Sequence, residues 1–265
     1  MRRMLSATDV AAASAAWMWA PDDAEVVEGD GFTLVRLPEH FAWDLSVLAF
    51  TPTGSGPLGA AVDAVIERAR AFEVPVLDWE VGLGAPAGLA GELTARGGQV
   101  KLTLEVLARD LGQEIPVLPP PTADLTVRWA TDFETARDGS AVAVVGFGGE
   151  LPPDEQIEAA AAKYAAAVPA GGGGMLVAYV DGAPVGFGGL SLVDGVARLS
   201  GGVVVPAERG RGIYRALVES RLSYAVAHGA RMALVKGNVV TSAPILRKAG
   251  FTSFGQEPIY AVPLS

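Results

Sequence analysis

The chain has 265 residues, half of them apolar, which is enough for two modest domains or one large one around a sizeable core. It carries no cysteine and only two histidines, His40 and His228, which excludes a disulfide framework, a thiolate zinc site and a cysteine nucleophile, and no metal site is expected. Such usage fits a cytoplasmic protein. The net charge of −10 sits almost wholly in residues 1–121, with 8 basic against 17 acidic residues, whereas residues 122–265 hold 12 against 13. With no basic stripe to neutralise phosphates, no nucleic-acid partner is expected.

The opening MRRMLSATDVAAASAAWMWAP has the two arginines and small apolar residues of a secretory leader, but Asp9 interrupts the apolar stretch. An amphipathic helix from Asp9 to Trp19 is expected instead. No run reaches the ~18 apolar residues of a membrane span, so no membrane partner is expected. Further on, the glycine loop Thr53-Gly54-Ser55-Gly56 leads into a helix over 57–72, then the strand VPVLDW and, after a short helix near Leu93, the strand TLEVLARDL. The prolines of PVLPPPTADL, residues 116–125, can neither donate to a ladder nor continue a helix, and the stretch reads as a linker. It divides the chain into 1–121 and 122–265.

After the linker, LTVRW (125–129) reads as a strand, followed by helices over about 132–146 and from Asp154 to Val168, the second opening on acidic residues. MLVAYV (175–180) and PVGFGGLSLV (184–193) flank Asp181-Gly182 as a hairpin, and Asp194-Gly195 leads into the strand VARLSGGVVV (196–205). A helix to about His228, the strand MALVKG (232–237), a helix from Ser242 to Ala249 and the strand IYAVPL (259–264) complete the order. Shifted by 156 residues, Thr53–Gly56 falls on Arg209–Gly212, the 57–72 helix on 213–228, and VPVLDW on the strand at 232. A shift of 153 brings Leu93–Gly97 onto Leu246–Gly250. The recurrence of loop, helix, strand, short helix and strand favours an internal duplication in which both glycines persist and both arginines do not.

The segment VVVPAERGRGIYRALV (203–218) runs a β-branched strand through Gly210 and Gly212 into a helix. Glycine lets a ligand approach the backbone, the first helical N–H groups lack partners, and Arg209 and Arg211 add positive charge, so the junction suits a phosphate. The alternative is a tight turn with solvent-facing arginines. Neither the dinucleotide fingerprint, which needs a glycine where Arg215 stands, nor the P-loop, which needs Lys-Ser/Thr where Ile213-Tyr214 stand, is satisfied.

Arg209-Gly210-Arg211-Gly212-Ile213-Tyr214 resembles the Arg/Gln-x-x-Gly-x-Gly/Ala signature of the GCN5-related N-acetyltransferase (GNAT) family, and SAPILRKAGF (242–251) looks like its other common segment. The resemblance covers residues 122–265, with residues 1–121 resembling a degenerate copy. It implies an α/β fold of two tandem acetyltransferase-like units, each a mixed, largely antiparallel sheet flanked by helices. It also implies acetyl-CoA as cosubstrate and an amine acceptor, which we expect to be a small molecule. Its pyrophosphate would rest on the backbone from Arg211 to Tyr214 with Arg209 and Gly210 beside it, and its pantetheine arm on Val203, Val204 and Val205. Two positions depart from the family: Tyr214 replaces the final Gly/Ala, and Leu246 stands where many members have the tyrosine that protonates the leaving thiolate.

The rest of the chemistry must come from elsewhere. Tyr260, on the last strand, is a candidate acid, with a core tyrosine as the alternative. Glu150, between the first two helices of the second half, is a candidate base or amine anchor, with a solvated loop carboxylate as the alternative. Asn238 and Ser242 are candidates for contacts to the pantetheine, against a turn-forming asparagine and a helix cap. His228 at a helix end complements the dipole and is assigned no chemistry. Two rival readings stand beside the enzyme: a coenzyme A-binding sensor or scaffold without catalysis, and a module whose acidic first half docks a basic partner.

Overall fold

The computed structural model describes residues 5–112, 119–122 and 124–264; residues 116–118 and 123 of the expected linker lie outside these. Helix α1 (Ala7–Ala15) starts where the Ser6 hydroxyl accepts the Asp9 N–H at 3.0 Å. It stops four residues short of Trp19, because the Trp17 N–H turns to the Ser14 carbonyl in a tighter last turn. Strands β1 (Glu25–Gly29), β2 (Phe32–Arg36) and β3 (Leu45–Phe50) follow, then α2 (Leu58–Arg70), β4 (Val76–Glu80), α3 (Leu89–Ala95) and β5 (Gln99–Asp110).

The second half contains β6 (Leu125–Trp129), α4 (Phe133–Phe147), α5 (Asp154–Ala167), β7 (Gly173–Val180), β8 (Ala183–Val193), β9 (Val196–Val204), α6 (Ile213–Ala227), β10 (Met232–Asn238), α7 (Ala243–Lys248) and β11 (Thr252–Pro263). Local chemistry sets these limits. The Asp132 carboxylate accepts the Thr135 N–H at 2.9 Å to start α4. Both Asp-Gly turns, at 181–182 and 194–195, put two successive residues at positive φ, the geometry that matches strand twist in a tight hairpin. β11 begins seven residues before the expected Ile259. A bulge at Gly255 lets the strand bend and continue through a stretch that reads as loop.

All eleven strands join in one sheet of order β1-β2-β3-β4-β11-β5-β10-β9-β8-β7-β6. The two halves repeat the same local topology. β3 and β4 are parallel and joined by α2, and β9 and β10 are parallel and joined by α6. β5 and β11 run from 99 to 110 and from 252 to 263, offset by 153 residues at both ends. These last strands are exchanged. β5 of the first half pairs antiparallel with β10 of the second, β11 pairs antiparallel with β4, and β5 and β11 pair with each other at the centre. Two separate sheets are thereby replaced by one.

Side chains alternate across the central strands as the pleat requires. Leu107, Ala233 and Val235 pack under α6 and α7, while Val106, Ala108, Met232 and Leu234 pack against α1 on the opposite face. Tyr260 and Val262 of β11 join Leu77 and Trp79 of β4 in the core beneath α2 and α3. Helices α4 and α5 cover β7 through Ala136, Ile157, Val177 and Tyr179. Among the described residues no helix is long and apolar enough to cross a membrane.

Candidate functional site

The site follows from a mismatch in strand length. β9 and β10 pair from Val196/Met232 only as far as Leu199/Val235, yet β9 runs on to Val204 and β10 to Asn238. Past Leu199 the two strands separate, and each keeps only its outer neighbour, β8 or β5. Gly201 and Gly202, at φ +60° and +106°, sit where β9 bends away, a conformation that side-chain-bearing residues resist. Backbone groups of β9 on the side away from β8 therefore face an opening.

The ladder identifies which N–H is available. Val205 donates to the Val185 carbonyl, and Val203 lies opposite Phe187. Alternation of an antiparallel pair then turns Val204 toward the opening. Its carbonyl accepts Arg209 Nε–H at 3.1 Å, leaving its N–H as the donor directed there. Of the three valines, Val203 and Val204 are buried and Val204 alone presents its backbone to the gap.

The glycine loop lies at one end of this opening. Gly212 caps α6 with φ +87° and no side-chain cap, so Ile213, Tyr214 and Arg215 start the helix with N–H groups that have no intrahelical acceptor. Gly210 at φ +80° has open space around it, Arg209 is exposed, and Arg211 is paired with Glu208. The loop therefore combines a helix N-terminus, close backbone access and two guanidinium groups, a setting that favours a phosphate anion. Ile213 is itself buried and anchors the helix start in the core.

Tyr214 does not lie along the helix. Its ring packs against β9, so that a Cβ on Gly202 would stand 2.9 Å from Tyr214 Cε2 and 3.5 Å from its hydroxyl. The phenol faces Ser242 and Arg221. Burial raises its pKa, and the Arg221 charge and the Ser242 and Arg221 hydrogen bonds act in the opposite direction. Arg221, fully buried, donates to the carbonyls of Leu217, Gly189 and Ser200 at 3.0–3.2 Å, and burial lowers its pKa. Depressions of about 650 Å³ over α2, beside Asp63 and Arg96, and about 580 Å³, beside Arg128 and Asp138, lie away from the opening.

Ser242 and Asn238 close the far side. The Ser242 hydroxyl does not cap α7 but accepts the Asn238 N–H at 2.9 Å, which corrects the capping alternative. Asn238 Oδ1 accepts the Val240 and Thr241 N–H groups at 2.8 and 3.3 Å, the self-bonded turn expected of asparagine. Leu246 is fully buried in the core under α7. His228 stacks on Tyr224 at the end of α6 and has no contact with the opening.

The two catalytic candidates part company. Glu150 is exposed on the loop after α4, and its N–H donates to the His40 carbonyl at 2.8 Å, so this loop docks on the first half. The end of α4 also reaches the opening, with Gly146 flush against Val203 and Phe147 edge-on to Phe187. Tyr260 requires correction. Because β11 crosses to β4, Tyr260 lies 8 % exposed opposite Trp79 in the core of the first half, remote from the glycine loop.

Sequence reasoning missed a charged cluster on the α1 face, where β10 passes the end of its pairing with β9. Lys236 of β10 pairs with Glu80 of β4 and, at 2.8 Å, with Glu257 of β11; Glu257 also accepts the Leu83 N–H and the Ser14 hydroxyl. A signal was present: Glu80 and Lys236 are 156 residues apart, the same shift that aligns their two strands, each a charge at or near a strand end. Burial raises the Glu80 pKa against the pull of Lys236, with Glu257 adding to the rise. Burial lowers that of Lys236, but the two carboxylates outweigh it and the net direction is up.

Lys236→Met should therefore cost about 3–5 kcal/mol near neutral pH by leaving two carboxylates without a cation. The native Glu80 binds protons more tightly than the unfolded one, so stability falls as pH rises from 4.5 through the raised native value. The Lys236→Met deficit should thus shrink on acidification through the same window, which urea melts across pH would read.

Comparison of the sequence with curated proteins finds no match. The model of the acetyltransferase (GNAT) family matches residues 137–251. Among solved structures, a GCN5-related N-acetyltransferase from Sphaerobacter thermophilus is 18% identical with a TM-score of 0.68, over 88% of this chain and 77% of that one. A GCN5-related N-acetyltransferase from Kribbella flavida is 20% identical with a TM-score of 0.65, over 98% and 97%. A tandem GNAT protein from the clavulanic acid biosynthesis pathway is 19% identical with a TM-score of 0.61, over 97% and 88%. The mixed α/β fold of this chain, one sheet flanked by helices, is that of GNAT proteins, and the family's sequence signal lies in residues 137–251, from α4 to the residue before β11.

Proposed function

We propose that the chain is an N-acetyltransferase that moves the acetyl group of acetyl-CoA to a primary amine of a small molecule by direct attack, in the cytoplasm. The observation that carries this reading is the opening between β9 and β10 beside a cationic glycine loop at the start of α6. Arg209, Arg211 and the N–H groups of Gly212 to Tyr214 would hold the pyrophosphate, with Gly210 giving it room. The free edge of β9 would hold the pantetheine arm, with Asn238 and Ser242 across from it. Bound acetyl-CoA would supply an activated thioester; attack by the neutral amine nitrogen would form the C–N bond as the C–S bond breaks, with coenzyme A leaving as its thiolate and the proton lost by the nitrogen passing through solvent to give the free thiol.

The chain's own contribution is placement and charge. The Val204 N–H is directed to stabilise negative charge on a carbonyl oxygen in the opening. Glu150 draws the amine to the side covered by α4. The first half, residues 1–121, we read as a degenerate copy of the second, residues 122–265. Pro57 and the neutral Thr53-Gly54-Ser55-Gly56 loop leave its own junction without arginines. It instead helps to build the acceptor side through the His40 loop.

A second reading, a coenzyme A-binding protein without turnover, is favoured by Leu246, buried at the family's acid position. The two separate in an assay of thiol release from acetyl-CoA over a broad panel of primary amines. The enzyme reading expects many turnovers with at least one amine. Stoichiometric binding with no turnover over the whole panel would leave the non-catalytic reading.

A further inference from the structure

We propose that the acceptor amine carries an aromatic ring, seated on Phe147 at the mouth of the β9/β10 opening, in a cleft whose other wall is the Trp19, Phe41 and Trp43 cluster of the first half. The inference rests on the acetyl-CoA reading of the site and names the class of acceptor that the site takes.

The first wall borders the opening itself. Phe187 of β8 lies opposite Val203, and its ring takes the space that a side chain on Gly201 would need, since a Cβ there would stand 2.8 Å from Phe187 Cε2. Gly201 is where β9 bends away from β10. Phe147, the last residue of α4, meets Phe187 edge to face, with ring centroids 6.1 Å apart and planes at 90°. Phe187 is buried, but Phe147 is 46% exposed. A ring with half its surface open therefore stands beside the point where the two strands part.

The first half brings up the second wall. Just past Phe147 the chain presses onto the loop between β2 and β3: a Cβ on Gly149 would stand 2.2 Å from the His40 carbonyl oxygen, and one on Gly148 3.4 Å from the Ala42 Cβ. Phe41 and Trp43 flank Ala42. Their rings meet edge to face at 6.0 Å, and Trp19, 51% exposed, meets Phe41 at 5.9 Å. Among the described residues, Trp19 and Phe147 are the two aromatic side chains in the exposed large apolar set, and each belongs to one of these walls.

Exposed apolar surface with a polar rim marks a place where something binds. Two features select the occupant. The first wall lies at the opening, which the acceptor nitrogen must reach to attack the thioester. The rim is acidic: Glu39, Asp44 and Glu150 are exposed, and among the described residues none of them has a cationic partner. An amine arrives from water as an ammonium ion, which carboxylates and aromatic faces both attract. A flat ring attached to it packs on the rings of the cleft in the offset or edge-to-face geometry that aromatic pairs prefer. A polyamine would satisfy the rim and leave the rings wet.

Full-length wild type, Phe147→Ala, Phe147→Tyr and Trp19→Ala, each shown to be folded by circular dichroism, are compared with benzylamine and 2-phenylethylamine against n-propylamine and 1,4-diaminobutane. Thiol release from acetyl-CoA reads turnover, and ligand-detected NMR in the presence of coenzyme A reads binding of the same amines. The aryl amines should exceed the ring-free ones in kcat/KM by at least about 10-fold. Phe147→Ala should reduce that advantage roughly 3–10-fold through KM, and Phe147→Tyr, which keeps the ring, should retain it. Trp19→Ala, in the other wall, should reduce it by a smaller factor. Calorimetric affinity for acetyl-CoA should stay at its wild-type value in all three variants.

Equal or better use of the ring-free amines, or an aryl advantage that survives both alanine variants, overturns the aromatic acceptor and leaves the acetyltransferase reading standing. Binding of acetyl-CoA with no binding or turnover of any aryl amine overturns the aromatic acceptor and leaves the cofactor site. Absence of acetyl-CoA binding to the folded wild type overturns both.

Discussion

Residues 122–265 expressed alone will not form a stable monomer, although they contain the complete glycine loop and the whole family match. The reason is the exchange of last strands. β11 closes the first half, not its own, and the fragment lacks β5, which fills the place beside β10. Tyr260, Val262 and Leu264 lose the cover of Leu77, Trp79 and Leu93, and Leu234 and Val235 lose that of Val106 and Leu107. Exposing Tyr260, Val262 and Leu264 alone costs roughly 5–9 kcal/mol at about 1.5–3 kcal/mol each. A domain has about 5–15 kcal/mol in total. Mixing the fragment with residues 1–121 should restore a one-to-one complex by size exclusion, with a cooperative melt. A fragment that melts cooperatively as a monomer on its own would mean that β11 can pair with β10 directly.

The second large effect concerns the loop. Reversing both charges, Arg209→Glu with Arg211→Glu, should weaken acetyl-CoA binding by at least about 100-fold, since each hydrogen bond to a charged partner is worth about 1.5–3 kcal/mol and reversal adds repulsion. Stability should change modestly, because Arg209 is exposed and gives up one hydrogen bond to the Val204 carbonyl, and Arg211 gives up a partly exposed pair with Glu208, three residues away. Wild-type affinity should also fall with added salt, and the variant's less so. Gly212→Glu is a poorer probe of the same site. Its φ of +87° and a Cβ 3.0 Å from the Pro121 Cα would strain the loop and confound lost binding with lost structure.

The elements of the second half were legible because they carry period and punctuation together. Asp181-Gly182 and Asp194-Gly195 demand hairpins, and Asp132 and Pro153 mark helix starts. Strands β1 to β3 went unread, although Asp30-Gly31 sits between β1 and β2 as Asp181-Gly182 sits between β7 and β8. Charges at Glu25, Glu28 and Arg36 interrupt the alternation there.

The recurrence of spacing between the halves was readable, and the crossing of β5 and β11 between them was not. The two strands have the same length, and nothing local to either says which of two slots it fills. Tyr260 reads as a candidate acid for this reason, and the Glu80–Lys236 contact stays hidden with it. At the loop, the sequence carried the glycines, the arginines and the departure at Tyr214. Where that side chain goes depended on Gly202, twelve residues earlier, whose missing side chain leaves the seat for the ring.

A calorimetric titration of the full-length chain with acetyl-CoA, beside the Arg209→Glu/Arg211→Glu variant, tests the function of this junction most directly. The site geometry calls for one molecule bound per chain and for loss of that binding in the folded variant. No heat of binding to the folded wild type, or binding that survives both charge reversals, would contradict the assignment of the β9/β10 opening and its loop to acetyl-CoA.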